Sequence, residues 1–195
     1  MLPTSHKIIS EHVYEVVNNT LGVKLNKNQL IYGSIKPDLT PKFLRLEHFK
    51  PESFNQIMDE VKELSISQFS ESSLFIKQFS QQLGVVTHFI ADYFCVPHND
   101  RNTYKSHFID HVVYEYKLEK LFKSHSHKTS IIKEAFNVNN YSSSPISNVI
   151  DSLHISYTMR GESMTNDVIS SLDAVSTVAL FATYNAINNY YRKAA

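Results

Sequence analysis

The sequence predicts an all-α protein, and three observations favour that fold class. Apolar side chains recur at helical spacing, as Ile9, Val13, Val16 and Val17 do near the start of the chain. Residues that break helices are rare, with only 4 Gly and 6 Pro among 195 residues. No segment alternates convincingly between apolar and polar residues as a half-buried strand does. We therefore expect residues 1–195 to form one compact multi-helix domain.

The helix boundaries follow from residues that cap or break helices. Thr4 or Ser5 can cap the first helix, and Gly22 lies just beyond its end. The segment 36–41 is predicted to be a loop because a proline stands near each end of it, and Pro97 stops the central apolar helix. The predicted helices cover residues 4–19, 28–34, 51–64, 73–96, 104–123, 130–136, 145–159 and 163–192.

Composition and charge exclude several classes of protein. Lys and Arg total 19, as do Asp and Glu, and a net charge of zero argues against nucleic-acid binding by bulk charge. Cys95 is the only cysteine, which excludes an internal disulfide and a Cys-rich zinc ribbon. The most apolar segments are shorter than the roughly 20 residues of a membrane span, and no secretion signal is visible. The sequence therefore predicts a cytoplasmic protein without a transmembrane segment.

Two pairs of histidine and acid carry the chemical signal. His88 precedes Asp92 by four residues, and His111 precedes Glu115 by four, so each pair shares one helix face. One such pair alone is more often an exposed ion pair. However, the first pair lies in an apolar run, where a charge is costly unless it is paired or bound to metal. His98 follows closely, and imidazole nitrogen with carboxylate oxygen is typical of zinc sites.

Further candidate ligands precede these pairs along the chain: His6, Asp38 and His48. The ordered set, with His-x3-Asp-x5-His followed by His-x3-Glu, resembles the zinc-dependent phospholipase C family, which shares its fold with the S1/P1 nucleases. The segment from Leu83 to His98 is similar in sequence to the central helix of that family. The resemblance covers residues 1 to about 120 and implies a helical domain of the phospholipase C and P1 nuclease type.

The resemblance also implies up to three zinc ions, each with its own ligands. The first would be held by Asp38, His48, His88 and Asp92. The second would be held by His98, His111 and Glu115. The third would be held by His6, the shared carboxylate of Asp92, and the amine and carbonyl of Met1. Secreted members begin with tryptophan after processing, whereas the first residue here is Met1.

The implied activity is hydrolysis of a phosphodiester in a phospholipid or a related headgroup ester. A water between two cations loses a proton near neutral pH and attacks phosphorus, and Asp38 would orient this water or act as the base. The phosphatidylcholine enzymes place aromatic residues where this chain has Leu39 and Arg45, so the choline box is absent. Arg45 would instead contact a phosphate or a headgroup acid.

Two alternatives stay open on the sequence alone. A nuclease or nucleotidase of the S1/P1 type would use the same metals and would stack bases on aromatic side chains. The aromatic residues near the motifs are Tyr32, Phe43, Phe49, Tyr93 and Tyr104. A non-catalytic zinc protein is the other alternative, although structural zinc sites normally have four protein ligands and the second group here offers three.

Overall fold

A computed structural model describes residues 1–40, 46–99, 108–125, 129–132, 136 and 144–194. Within these ranges the chain forms α-helices and no strand, which confirms the all-α prediction. The helices are α1 (Pro3–Leu21), α2 (Lys27–Leu39), α3 (Lys50–Ile66), α4 (Ser73–Asp92), α5 (Phe108–Ser124), α6 (Ser144–Met159) and α7 (Met164–Ala194). A short 3₁₀ helix covers Val96–His98. Among the described residues, no helix is long and apolar enough to span a membrane.

Local sequence explains how the first two helices begin and end. Pro3 opens α1, where its fixed φ suits the first turn and its missing N–H has no partner to lose. Gly22 ends α1 with a φ of 69°, and its N–H donates to the Asn18 carbonyl. Asn26 caps α2, because its side chain accepts a hydrogen bond from the Gln29 N–H. The predicted first helix is therefore confirmed, but its predicted cap is wrong: Leu2 is the N-cap residue, and Thr4 and Ser5 lie inside the helix.

The predicted loop around Asp38 is wrong, because α2 continues through Pro37 to Leu39. A proline in the last turn removes one backbone hydrogen bond, and the turn still closes. Both the N–H and the hydroxyl of Thr40 donate to the Lys36 carbonyl, at 3.1 and 3.0 Å. The helix continues past Pro37 while α2 packs on α4, and Asp38 therefore lies on a helix.

Two other predicted boundaries are also wrong. The central helix ends at Asp92 rather than at residue 96, and the chain then tightens into the 3₁₀ helix that contains Pro97. Residues 129–132 are not helical, although a helix was predicted over 130–136. Their N–H groups bond to side chains of α7 instead: Ser130 donates to Asp173 Oδ1 at 2.7 Å, and Ile132 donates to Thr177 Oγ1 at 3.4 Å.

Helix α4 is central to the fold. It packs against α1, α2, α3 and α7, and all of its residues from 83 to 92 are buried. The contact with α2 is unusually close: a Cβ on Gly33 would lie 2.0 Å from the Gln81 carbonyl oxygen, and a Cβ on Gly84 would lie 2.2 Å from the Leu30 carbonyl oxygen. Only glycine permits this approach. The middle parts of α2 and α4 are therefore held together, and the C-terminal part of each helix carries candidate ligands.

Candidate metal centre

One group of donor atoms lies where α2, α4 and the segment before α3 meet. His48 Nδ1 is 2.7 Å from Asp92 Oδ2 and 3.1 Å from His88 Nε2. Asp38 Oδ1 is 3.7 Å from His88 Nε2 and 3.9 Å from His48 Nδ1. Four ligands about 2.0–2.1 Å from a tetrahedral zinc stand roughly 3.4 Å apart. These donor atoms are spaced to hold one such ion.

The backbone of α2 fixes the orientation of His88. The Ser34 carbonyl lies 2.7 Å from His88 Nδ1, and since a carbonyl can only accept, Nδ1 carries the proton. The lone pair of Nε2 therefore faces His48 and Asp92. The Ser34 hydroxyl also donates to the His6 carbonyl at 3.3 Å, which ties α2 to α1. The contact between the Ser34 carbonyl and His88 Nδ1 is of the kind that sets the tautomer of a metal-binding histidine.

A second group of donor atoms combines the 3₁₀ helix with α5. Glu115 Oε1 lies 2.7 Å from His111 Nε2 and 3.2 Å from His98 Nε2. The amine of Met1 lies 2.8 Å from His98 Nε2 and 3.2 Å from Glu115 Oε1. Two imidazoles and a carboxylate in contact are a zinc-binding set that leaves a fourth position for another ligand.

Asp92 connects the two groups. Its Oδ2 faces His48, whereas its Oδ1 is 2.8 Å from the Met1 amine and 3.3 Å from His6 Nε2. His98 Nε2 lies 3.9 Å from the same Oδ1. Each carboxylate oxygen therefore faces a different set of donors. A carboxylate needs this arrangement to bridge two cations.

His6 and Asp38 have buried polar atoms without a hydrogen-bond partner among the described residues. His6 is fully buried, and neither of its ring nitrogens makes a hydrogen bond. Its ring stacks on His88, with the centroids 3.9 Å apart. Asp38 Oδ2 is also buried and makes no hydrogen bond to a described residue. Leaving such an atom unpaired costs about 1–3 kcal/mol, so these atoms indicate an additional ligand, and zinc fits imidazole nitrogen and carboxylate oxygen.

The electrostatics favour ligand-ready protonation states at Asp92, His88 and His98. Burial opposes ionisation of Asp92, but the Met1 ammonium, His98 and His6 hold its pKa well below the usual range. Burial and the neighbouring His6 lower the pKa of His88 well below its usual value. Burial and the Met1 ammonium lower the pKa of His98. Ionised carboxylates and neutral imidazoles are the forms that bind metal.

His48 and Asp38 differ from this pattern, and so does the Met1 amine: burial lowers its pKa, but the carboxylates of Asp92 and Glu115 raise it to about 12. Burial lowers the pKa of His48, but its hydrogen bond to Asp92 raises it above the usual value. Burial raises the pKa of Asp38. Both shifts favour a bound proton in the absence of metal. A divalent cation at the same place would reverse both, because it favours the deprotonated forms.

The described structure brings together the predicted ligands from distant parts of the chain. They are Met1, His6, Asp38, His48, His88, Asp92, His98, His111 and Glu115. Six of them line a cavity of about 280 Å³ together with Leu46, Glu47 and Phe49. The remaining predicted residue, Arg45, lies outside the described residues. That these side chains bind zinc stays a prediction.

Two further residues near the cluster have roles that the sequence did not reveal. The sulfur of Cys95 lies within 4.8 Å of donor atoms of His98 and Glu115. Burial raises the pKa of this thiol well above its usual value, so it is a neutral neighbour of the second group. Tyr93 is fully buried, and its hydroxyl lies 2.8 Å from the Ser53 hydroxyl. It is therefore a core residue and does not present a surface for base stacking.

A family model described as zinc dependent phospholipase C matches residues 5–164. No curated protein and no solved structure matches the chain. The matched range contains every predicted ligand except Met1, and it ends at the first residue of α7.

Proposed function

Because the chain belongs to the zinc-dependent phospholipase C family, we propose that it hydrolyses a phosphodiester bond in a phospholipid or a related headgroup ester. One observation carries this proposal. The two oxygens of Asp92 face two different sets of donors, with His48 on one side and the Met1 amine and His6 on the other. Adjacent cations joined by a carboxylate are typical of enzymes that hydrolyse phosphate esters.

We assign zinc ligands to three positions. The first position takes Asp38, His48, His88 and Asp92. The second takes His98, His111 and Glu115. The third takes His6, Asp92 and Met1. The second position has three side-chain donors, one fewer than zinc usually binds, so a phosphoryl oxygen can complete it. The unpaired nitrogens of His6 support the third position.

Asp38 is the proposed catalytic residue. Bound zinc would supply the positive charge that acidifies a water molecule and polarises the phosphoryl group. Asp38 lines the cavity, and its Oδ2 makes no hydrogen bond to the described residues, so it can accept the proton of the attacking water. The water oxygen bonds to phosphorus as the P–O bond to the alcohol breaks. The proton then passes to the departing alkoxide, which gives a phosphomonoester and an alcohol.

The proposal is tested by measuring zinc content and hydrolysis in one preparation of untagged protein. We expect about three zinc ions per chain, and cleavage of phospholipids in mixed-headgroup vesicles that stops with a chelator and returns with zinc. A single-stranded oligonucleotide is assayed in parallel. Cleavage of the oligonucleotide alone would favour the nuclease alternative. Full zinc content with no cleavage of either diester would favour a non-catalytic zinc protein.

A peptide fused ahead of Met1 should weaken the third position. The Met1 amine is buried 2.8 Å from Asp92 Oδ1, and an amide nitrogen, unlike a deprotonated amine, has no lone pair available for a metal. We expect a loss of about one zinc ion per chain, measured by elemental analysis. The matched control carries the same peptide after Ala195. If the N-terminal fusion keeps the zinc content and rate of this control, the amine is not a ligand.

A further inference from the structure

Asp167 is a fully buried carboxylate in the first turn of α7. It accepts three hydrogen bonds that come from three different parts of the chain. Its Oδ2 accepts from the Val96 N–H and from the Tyr114 hydroxyl, both at 3.0 Å. Its Oδ1 accepts from the Tyr157 hydroxyl at 2.7 Å. One side chain therefore joins the 3₁₀ helix, α5, α6 and α7.

The two donors on Oδ2 belong to the segments that carry the second group of candidate ligands. Val96 is the first residue of the 3₁₀ helix that contains His98. Tyr114 directly precedes Glu115 on α5. His98 and Glu115 approach to 3.2 Å, and they come from segments that are separate in sequence. A single oxygen atom of Asp167 thus contacts both of those segments.

The other oxygen reaches the far side of His98. The Tyr157 hydroxyl, which donates to Asp167 Oδ1, lies 3.1 Å from Asn99 Nδ2 and accepts from it. Asn99 directly follows His98, and its N–H donates to the Val96 carbonyl at 3.0 Å. The 3₁₀ helix is therefore tied to Asp167 at both of its ends. A 3₁₀ helix of three residues has few hydrogen bonds of its own, so these contacts at its two ends help to fix its position.

The location of Asp167 in the first turn of α7 suits a carboxylate that holds other segments in place. It lies near the N-terminus of a long buried helix, where the helix dipole favours a negative charge. Burial still raises the pKa of its carboxyl to about 6, although its three hydrogen bonds oppose that shift. Keeping a carboxylate at this place is therefore costly to the fold. Asp173, on the same helix, also accepts a backbone hydrogen bond, from Ser130, but it serves a segment without candidate ligands.

We infer that Asp167 is a positioning residue for the zinc position formed by His98, His111 and Glu115. It acts through Val96 and Tyr114 and does not touch zinc or substrate. This inference rests on the proposed function. Residues that orient metal ligands from outside usually change metal affinity by about 10–100-fold when they are replaced.

The test compares Asp167→Asn with wild type and with Asp173→Asn in a zinc titration of the metal-free protein against a chelating dye. Asparagine keeps the size of the side chain, and its oxygen still accepts on one side. We expect zinc affinity to fall about tenfold at one position, with the other positions unchanged. Tyr114→Phe, which removes one hydrogen bond, should weaken the same position less. Asp173→Asn should change none of them.

A double variant identifies the affected position. If Asp167 acts on the second position, Asp167→Asn should cause no further zinc loss in a chain that already carries Glu115→Gln. A purely structural role predicts a different result: a lower Tm of the metal-free protein, with the zinc affinities of all positions preserved. That result, or additive zinc losses in the double variant, would overturn the inference.

The outcome is separable from that of the proposed function because the titration does not depend on turnover. If wild type binds zinc and Asp167→Asn lowers one affinity while no diester is cleaved, the positioning role stands and the hydrolase proposal fails. If wild type cleaves a diester and Asp167→Asn binds zinc normally, the hydrolase proposal stands and the positioning role fails. If wild type binds no zinc, both fail.

Discussion

Replacing Asp92 by asparagine should remove about two zinc ions per chain and lower hydrolysis by at least about a thousandfold. The reason is that the two oxygens of Asp92 face different groups: Oδ2 lies against His48, and Oδ1 lies against His6 and the Met1 amine. Asparagine has the same shape but offers only one oxygen and no charge. It can satisfy at most one of the two sets.

Glu115→Gln is the matched comparison for this prediction. Glu115 has His98 and His111 as its imidazole partners in the second group, and both contacts involve its Oε1. The glutamine variant should therefore lose about one zinc ion per chain. Elemental analysis of both variants after the same dialysis measures the difference, and circular dichroism checks that each remains helical. Equal zinc loss in the two variants would contradict a bridging role for Asp92.

Two pairs of the candidate ligands could be predicted from the sequence because their signal is local. His88 and Asp92 share one face of α4, as do His111 and Glu115 on α5, and the spacing alone shows this. The apolar run around the first pair correctly indicated burial. The position of Asp38 among these residues was also expected. Its helical backbone was not, because Pro37 predicted a loop there, whereas α2 continues through Pro37 and packs against α4.

The supporting contacts could not be predicted in the same way, because they join residues that are distant in sequence. Ser34 orients His88 through a backbone carbonyl, which leaves no trace in residue type. Asp167 lies 71 residues from Val96, and the C-terminal segment that contains it had no signal beyond helical periodicity. The close approach at Gly84 is likewise visible only once α2 is packed on α4.

Replacing Gly84 by alanine should destabilise the metal-free protein by about 3 kcal/mol and weaken zinc binding at the first position. The new Cβ would lie 2.2 Å from the Leu30 carbonyl oxygen and 2.8 Å from the Ser34 backbone nitrogen. Both atoms belong to the backbone of α2, which cannot rotate away as a side chain can. The two helices must therefore separate at this point.

Separation of α2 from α4 would displace groups that hold or orient the candidate zinc ligands. The Ser34 carbonyl that orients His88 moves with α2, and so does Asp38. Denaturant unfolding of the metal-free protein and a zinc titration measure the two effects. Gly22→Ala is the control: it meets no atom within 4 Å, but its φ of 69° should cost about 1 kcal/mol without changing zinc affinity. If Gly84→Ala matches this control in both measurements, the glycine contact does not position the metal centre.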